Sequence, residues 1–165
     1  MFLTMYYVPD IINAWESVYY LQNEVAFGVI VRGMHHWGAS LVIVMLFLHT
    51  LRVFFQGAYK KPRELNWVVG VLIFFVMLGL GFTGYLLPWD MKALFATKVG
   101  LQIAETVPFI GPAIKTLLAG DETIVGAQTL ARFFAIHVFF LPAALLGLLA
   151  AHFLMIRRQG ISGPL

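Results

Sequence analysis

Cysteine is absent from the 165 residues. That excludes disulfides, iron–sulfur ligation and thiolate metal sites within this chain. Charge is scarce: Asp, Glu, Lys and Arg make up 12%, about half the soluble average of about 25%. Long polar or low-complexity stretches are missing too. What fills the space is apolar. The chain is 61% hydrophobic and 15% aromatic, the composition of an integral membrane protein with little room for a separate soluble domain. The net charge of +3 is no nucleic-acid signature, because the basic residues gather at the ends of apolar runs, where membrane topology explains them.

The spans follow in order. Residues 1–8 are apolar and stop at Pro9-Asp10. They are too short to cross a bilayer, which takes about 20 residues, and no basic segment precedes them as in a signal peptide. They read as the last turns of a helix whose beginning precedes Met1; a short N-terminal anchor is the alternative. Residues 10–24 mix Trp15, Val18, Tyr19 and Leu21 with Asn13, Glu16, Ser17, Gln22 and Asn23, which suits an amphipathic helix in the interface. Complete spans are expected at 27–55, 67–87 and 130–156. Between the first two lies Lys60-Lys61-Pro-Arg63-Glu64-Leu-Asn66, a short basic loop placed inside by the positive-inside rule, with Asn66 as N-cap of the next helix. Pro88-Trp89-Asp90 ends the second complete span on the outer side. Two surface helices are expected after it, at 91–105 and 112–118, broken by Pro108 and Gly111. The loop lysines Lys92, Lys98 and Lys115 are offset by Asp90, Glu105, Asp121 and Glu122. Pro142 is expected to kink the last span, which leaves the membrane at Arg157-Arg158. The whole is one all-α transmembrane domain over 1–165, a four-helix bundle with its first helix incomplete and amphipathic helices on its outer side.

Histidines punctuate two of these spans. His35 and His49 are 14 residues apart; at 100° per residue that falls within about 40° of four turns, so both imidazoles share a face about 21 Å apart. His137 and His152 are 15 apart, about 60° past four turns and about 22 Å apart. Both helices run from outside to inside. His35 is therefore level with His137, and His49 with His152. Ionisable residues inside a membrane are functional by default. Zinc demands more nitrogen or sulfur ligands at each level. A bis-histidine couple leaves four equatorial positions open, which a porphyrin fills. Two propionates at membrane depth need cations: Arg32 and Arg132 suit an outer haem, Arg52 and Arg157 an inner one. His36 points about 100° away from His35 and reads as a neighbour of a haem edge or as packing. Gly70 and Gly84, again 14 apart, admit either a flat ligand or another helix.

The segments 32–52, Lys60-Lys61-Pro-Arg63-Glu64-Leu, Gly84-Tyr85-Leu-Leu-Pro88-Trp89-Asp90, Arg132-Phe-Phe-Ala-Ile-His137 and the tail Arg157-Arg-Gln-Gly-Ile-Ser-Gly-Pro-Leu carry a resemblance that covers essentially the whole chain. It resembles cytochrome b of the quinol–cytochrome c oxidoreductases. The likeness is greatest to the short form, cytochrome b6 and its counterpart in menaquinol-oxidising bacteria. The resemblance implies a low-potential haem on His35 and His137, and a high-potential haem on His49 and His152. Gly70 and Gly84 admit the haems. Phe82, Tyr85, Pro88 and Ala96 border a quinol-oxidation pocket. Arg52, Arg63 and Arg157 lie near the inner haem and the quinone-reduction pocket.

As partners the resemblance implies a Rieske iron–sulfur protein, a subunit IV-like chain with the remaining cytochrome b helices, a cytochrome c-type subunit and a homodimeric complex in the bacterial plasma membrane. The chemistry belongs to haem and quinone, with no protein nucleophile. Two departures stand out. His36 replaces an arginine of the b6 proteins. The region preceding residue 1, which in the short-form family can carry a cysteine for a third, covalent haem, is mostly absent. The rival functions are a dihaem membrane anchor of a dehydrogenase or hydrogenase, which lacks the Pro88-Trp89-Asp90 turn and its outer loop, and a transporter bundle with structural histidines.

Overall fold

A computed structural model of the chain describes residues 2–120 and 125–162. Asp121 and Glu122, and the tail residues 163–165, lie outside the described residues. Among the described residues the secondary structure is entirely helical. Three helices are long and apolar enough to cross a membrane: Gly28–Phe55, Glu64–Leu86 and the continuous Ala127–Gln159. The first of these is α2 and the second α3. The third consists of α6 (Ala127–Ala135), a π-helical turn (Ile136–Phe140) and α7 (Leu141–Gln159).

Residues 2–8 depart from expectation. In place of α-helical turns there is a 3-10 turn, Leu3–Met5. Pro9 stops helix propagation here. Tertiary contacts hold the segment instead. The Tyr7 hydroxyl donates to the Leu87 carbonyl at 2.8 Å, and its ring stacks on Phe134 at 5.5 Å.

Asp10 then opens α1 (Ala14–Asn23), its Oδ1 accepting from the Ile12 and Asn13 amides, a local turn of the kind Asp favours. α1 buries Ala14, Ser17 and Leu21, a stripe spaced three and four apart as an interfacial helix requires. α3 begins at Glu64, with Arg63 as its N-cap. Asn66 is thus inside the first turn and not the cap. Glu64 there opposes the positive end of the helix dipole.

On the outer side Trp89 sits at φ 55°, a left-handed conformation rare for a bulky residue. Asp90 caps α4 (Met91–Glu105), its Oδ1 accepting from the Ala93 amide at 2.8 Å. α5 (Gly111–Ala119) returns across it, tied by a 2.6 Å ion pair between Lys115 and Glu105.

The core gathers at this outer end. Ala14, Leu86, Leu101, Ala119, Val125, Leu130 and Phe133 are buried together, with Phe82 and Trp89 packed against them. The membrane depth is different. α7 has no buried residue and α2 buries only Gly28. α3 packs against both α2 and the last span, whereas α2 and the last span have little backbone contact with each other. A slot runs between them at membrane depth, backed by α3.

On the inner side the 56–66 loop clamps the end of α7. Arg63 donates to the Gly160 and Ile161 carbonyls at 3.4 and 3.3 Å, and Gln159 Nε2 donates to the Pro62 carbonyl at 3.0 Å. A cation on the last carbonyls of a helix complements its negative end.

Candidate functional site

His35 and His49 of α2 stand across this slot from His137 and His152 of the last span. The His35 and His137 rings lie 6.0 Å apart, centre to centre, at 83°. His152 is near enough to His49 for the two imidazoles to interact electrostatically. His36, one residue from His35, turns away and lines an open depression with Gln22, Val29, Arg32, Gly33 and Trp37. Among the described residues, metal-binding side chains nowhere gather in threes; they come as couples.

The local structure of the last span explains its 15-residue spacing. The turn holding His137 closes with the Leu141 amide on the Ile136 carbonyl, five residues back instead of four. Pro142 follows at once and has no amide to bond the Val138 carbonyl, so the ladder shifts there. One extra residue is absorbed. The remaining 14-residue register brings His137 and His152 onto one face, as in the regular α2.

Two glycines of α3 admit the imidazoles. A Cβ on Gly84 would stand 2.5 Å from His137 Cε1, and one on Gly70 would stand 3.3 Å from His152 Cε1. The space at these glycines is thus taken by the imidazoles of the last span. Gly79 and Gly81 face Leu141 and Ile43 in ordinary helix packing. Thr83 is the residue that pattern reading passed over. It is 3% exposed, and its Oγ1 stands 3.3 Å from His137 Nδ1. The Leu80 carbonyl stands 3.0 Å from the same nitrogen. A carbonyl only accepts, so Nδ1 carries the proton and the Nε2 lone pair is free for a metal.

The arginines divide. Arg132 donates from Nη1 to the Thr116 and Leu117 carbonyls at 2.7 and 2.8 Å, which fastens α6 to α5. Arg63 is engaged on α7 as described. Arg32 bonds the Gln22 side chain between α2 and α1. Arg52 and Arg157 are exposed at the inner ends of their helices. Of the residues assigned to a quinol pocket, Phe82 packs on Phe133 at 5.5 Å and against Gly100. Pro88 is half-buried, and Tyr85 and Ala96 are exposed on α3 and α4.

Residues 1–160 match the cytochrome b/b6/petB family. The chain belongs to the cytochrome b/b6 family. It is 93% identical over all 165 residues to the menaquinol:cytochrome c reductase cytochrome b subunit of Geobacillus thermodenitrificans, and 89% identical to that of Bacillus subtilis (strain 168), covering 74% of each. It is 48% identical to cytochrome b6 of Heliobacterium modesticaldum, covering 77% of it. Its fold matches a chain of a hyperthermophilic respiratory complex III with a TM-score of 0.89 at 33% identity, over 99% of this chain and 44% of that one. A cytochrome b of this family is an integral membrane protein that binds b-type haem. The outer couple fits such a group. An ion held at about 2.0 Å by each ring would set two ring centres on the order of 6 Å apart, and the Leu80 carbonyl would leave Nε2 of His137 free to bind it.

Proposed function

We propose that the chain is the dihaem cytochrome b subunit of a menaquinol–cytochrome c reductase, an oxidoreductase active only within its complex. His35 and His137 hold one b haem near the outer face; His49 and His152 hold the second near the inner face. When bound, the haems supply one-electron redox levels at two depths, the route by which electrons from quinol oxidised outside reach a quinone inside, with proton release on the outer side. The chain's own residues do the rest. α2 and the last span present four imidazoles at fixed heights, α3 closes the slot behind them, and the apolar walls keep water from it. Arg32 at the outer level, and Arg52 and Arg157 at the inner, supply cations for propionates. Tyr85 and Ala96, exposed beside the Pro88–Trp89 turn, face the quinol; Arg63 belongs to the inner quinone region.

The observation that carries this reading is the pair of facing imidazoles across a slot, on a chain nearly identical to two menaquinol:cytochrome c reductase cytochrome b subunits. The exposed apolar faces of the spans and the relatives' being subunits of a reductase support a multi-subunit complex; its proposed members are a Rieske protein, a chain with the remaining cytochrome b helices, a cytochrome c-type subunit and a second copy of the complex. The test is a redox titration of the b-type absorption in the purified complex. Two components are expected; a single component, or none, contradicts the assignment.

A further inference from the structure

The 14-residue repeat of α3 presents two similar surfaces to the two imidazoles of the last span, and they differ at one informative place. Leu80, Thr83 and Gly84 face His137. Fourteen residues earlier the corresponding positions are Asn66, Val69 and Gly70, and Gly70 faces His152. The outer imidazole has two acceptors on Nδ1. The Thr83 hydroxyl gives its own proton to the Gly79 carbonyl at 2.8 Å, so its lone pairs remain for His137. The inner imidazole has less. His152 Nδ1 is buried with no hydrogen bond of full geometry; the Asn66 backbone is its one nearby polar influence from α3, and Val69 offers no acceptor.

We propose that Thr83 is a positioning residue for His137, and that its hydroxyl makes the outer imidazole a stronger electron donor than its inner counterpart. The proposal rests on the haem reading of His137 above. An acceptor on Nδ1–H fixes the ring's rotation and tautomer and raises the basicity of Nε2. A more basic axial nitrogen favours ferric over ferrous iron and lowers the reduction potential. Threonine and valine differ here by a hydroxyl in place of a methyl, so the repeat itself supplies a matched comparison: Thr83 outside, Val69 inside.

The experiment is potentiometric titration of the b-type absorption in the assembled complex, with the outer component identified as the one that His137→Ala removes. Thr83→Val is expected to retain full haem content and to raise the outer midpoint alone. The shift is up to about tenfold in the ferric-to-ferrous ratio, about 59 mV for one electron. Thr83→Ser is expected to restore the original value. An unshifted outer midpoint in Thr83→Val, or a Thr83→Ser protein that behaves like Thr83→Val, overturns the proposal. If Thr83→Val yields no assembled complex, Val69→Thr replaces it: a lowered inner midpoint supports the assignment and an unchanged one overturns it. If His137→Ala removes no component, the haem reading itself fails, an outcome separate from an unshifted Thr83→Val.

Discussion

Gly84 and Gly70 give the sharpest contrast at the scale of single residues. Alanine in a helix interior is favoured over glycine by about 1 kcal/mol, so both substitutions gain in propensity. At Gly84 that gain is overwhelmed, because the new methyl would stand 2.5 Å from His137 Cε1, closer than carbon atoms approach. Gly84→Ala is therefore expected to displace the imidazole and lose the outer haem. At Gly70 the distance is 3.3 Å, and a shift of a few tenths of an ångström relieves it. Gly70→Ala is expected to keep both haems. Haem per complex, measured by pyridine haemochrome, checks the pair; equal losses in the two variants contradict this geometry. Sequence spacing found both glycines, because a helix has a fixed angular period, but it left open what occupies the space beside them. Thr83 was not legible. A threonine in an apolar helix ordinarily bonds its own backbone, as Thr83 also does, and nothing in the pattern tells which threonine meets an imidazole as well.

The last span carries the lesson for elements. Its 15-residue histidine spacing looks like a misfit of about 60°, and Pro142 announces a disturbance without giving its form. The structure resolves both in the π turn at Ile136–Phe140, where one residue is absorbed. Deleting Val138 is accordingly expected to convert the π turn to a regular α turn and to leave both histidines on their face. Deleting Val44 from α2, which has no such turn, rotates one histidine against the other by about 100° and is expected to remove a haem. Optical spectra of the two purified complexes decide the matter, and loss of a haem in the Val138 deletion contradicts the register argument. Element ends were less legible. Asn66 resembles a helix cap, yet α3 starts two residues earlier, at Glu64. Arg132 reads from its position as a propionate partner and Arg63 as a neighbour of the inner quinone pocket; both donate to backbone carbonyls, Arg132 to those of α5 and Arg63 to those just past α7. Backbone acceptors leave no mark in a sequence, so such pairings emerge only once helices are placed.

For the molecule as a whole, the buried core lies at the outer end and the spans are left exposed to lipid and partners. Among the described residues the membrane-embedded part is therefore held mainly by the packing of α3 on α2 and on the last span; on the proposed reading, haem between the two would add to it. Removing one histidine should then cost a haem and break the electron path at that depth. His49→Ala is expected to eliminate one b-type component and stop transfer between the two faces while quinol still binds outside; stopped-flow reduction of the b-type absorption in the complex checks it. The most direct test locates the iron. An anomalous-scattering map of the assembled complex at the iron edge is predicted to show two b-haem peaks in this chain, one between His35 and His137 and one between His49 and His152, separated by about 21 Å along the spans. A single peak, or a peak joining His35 to His152, would contradict the account.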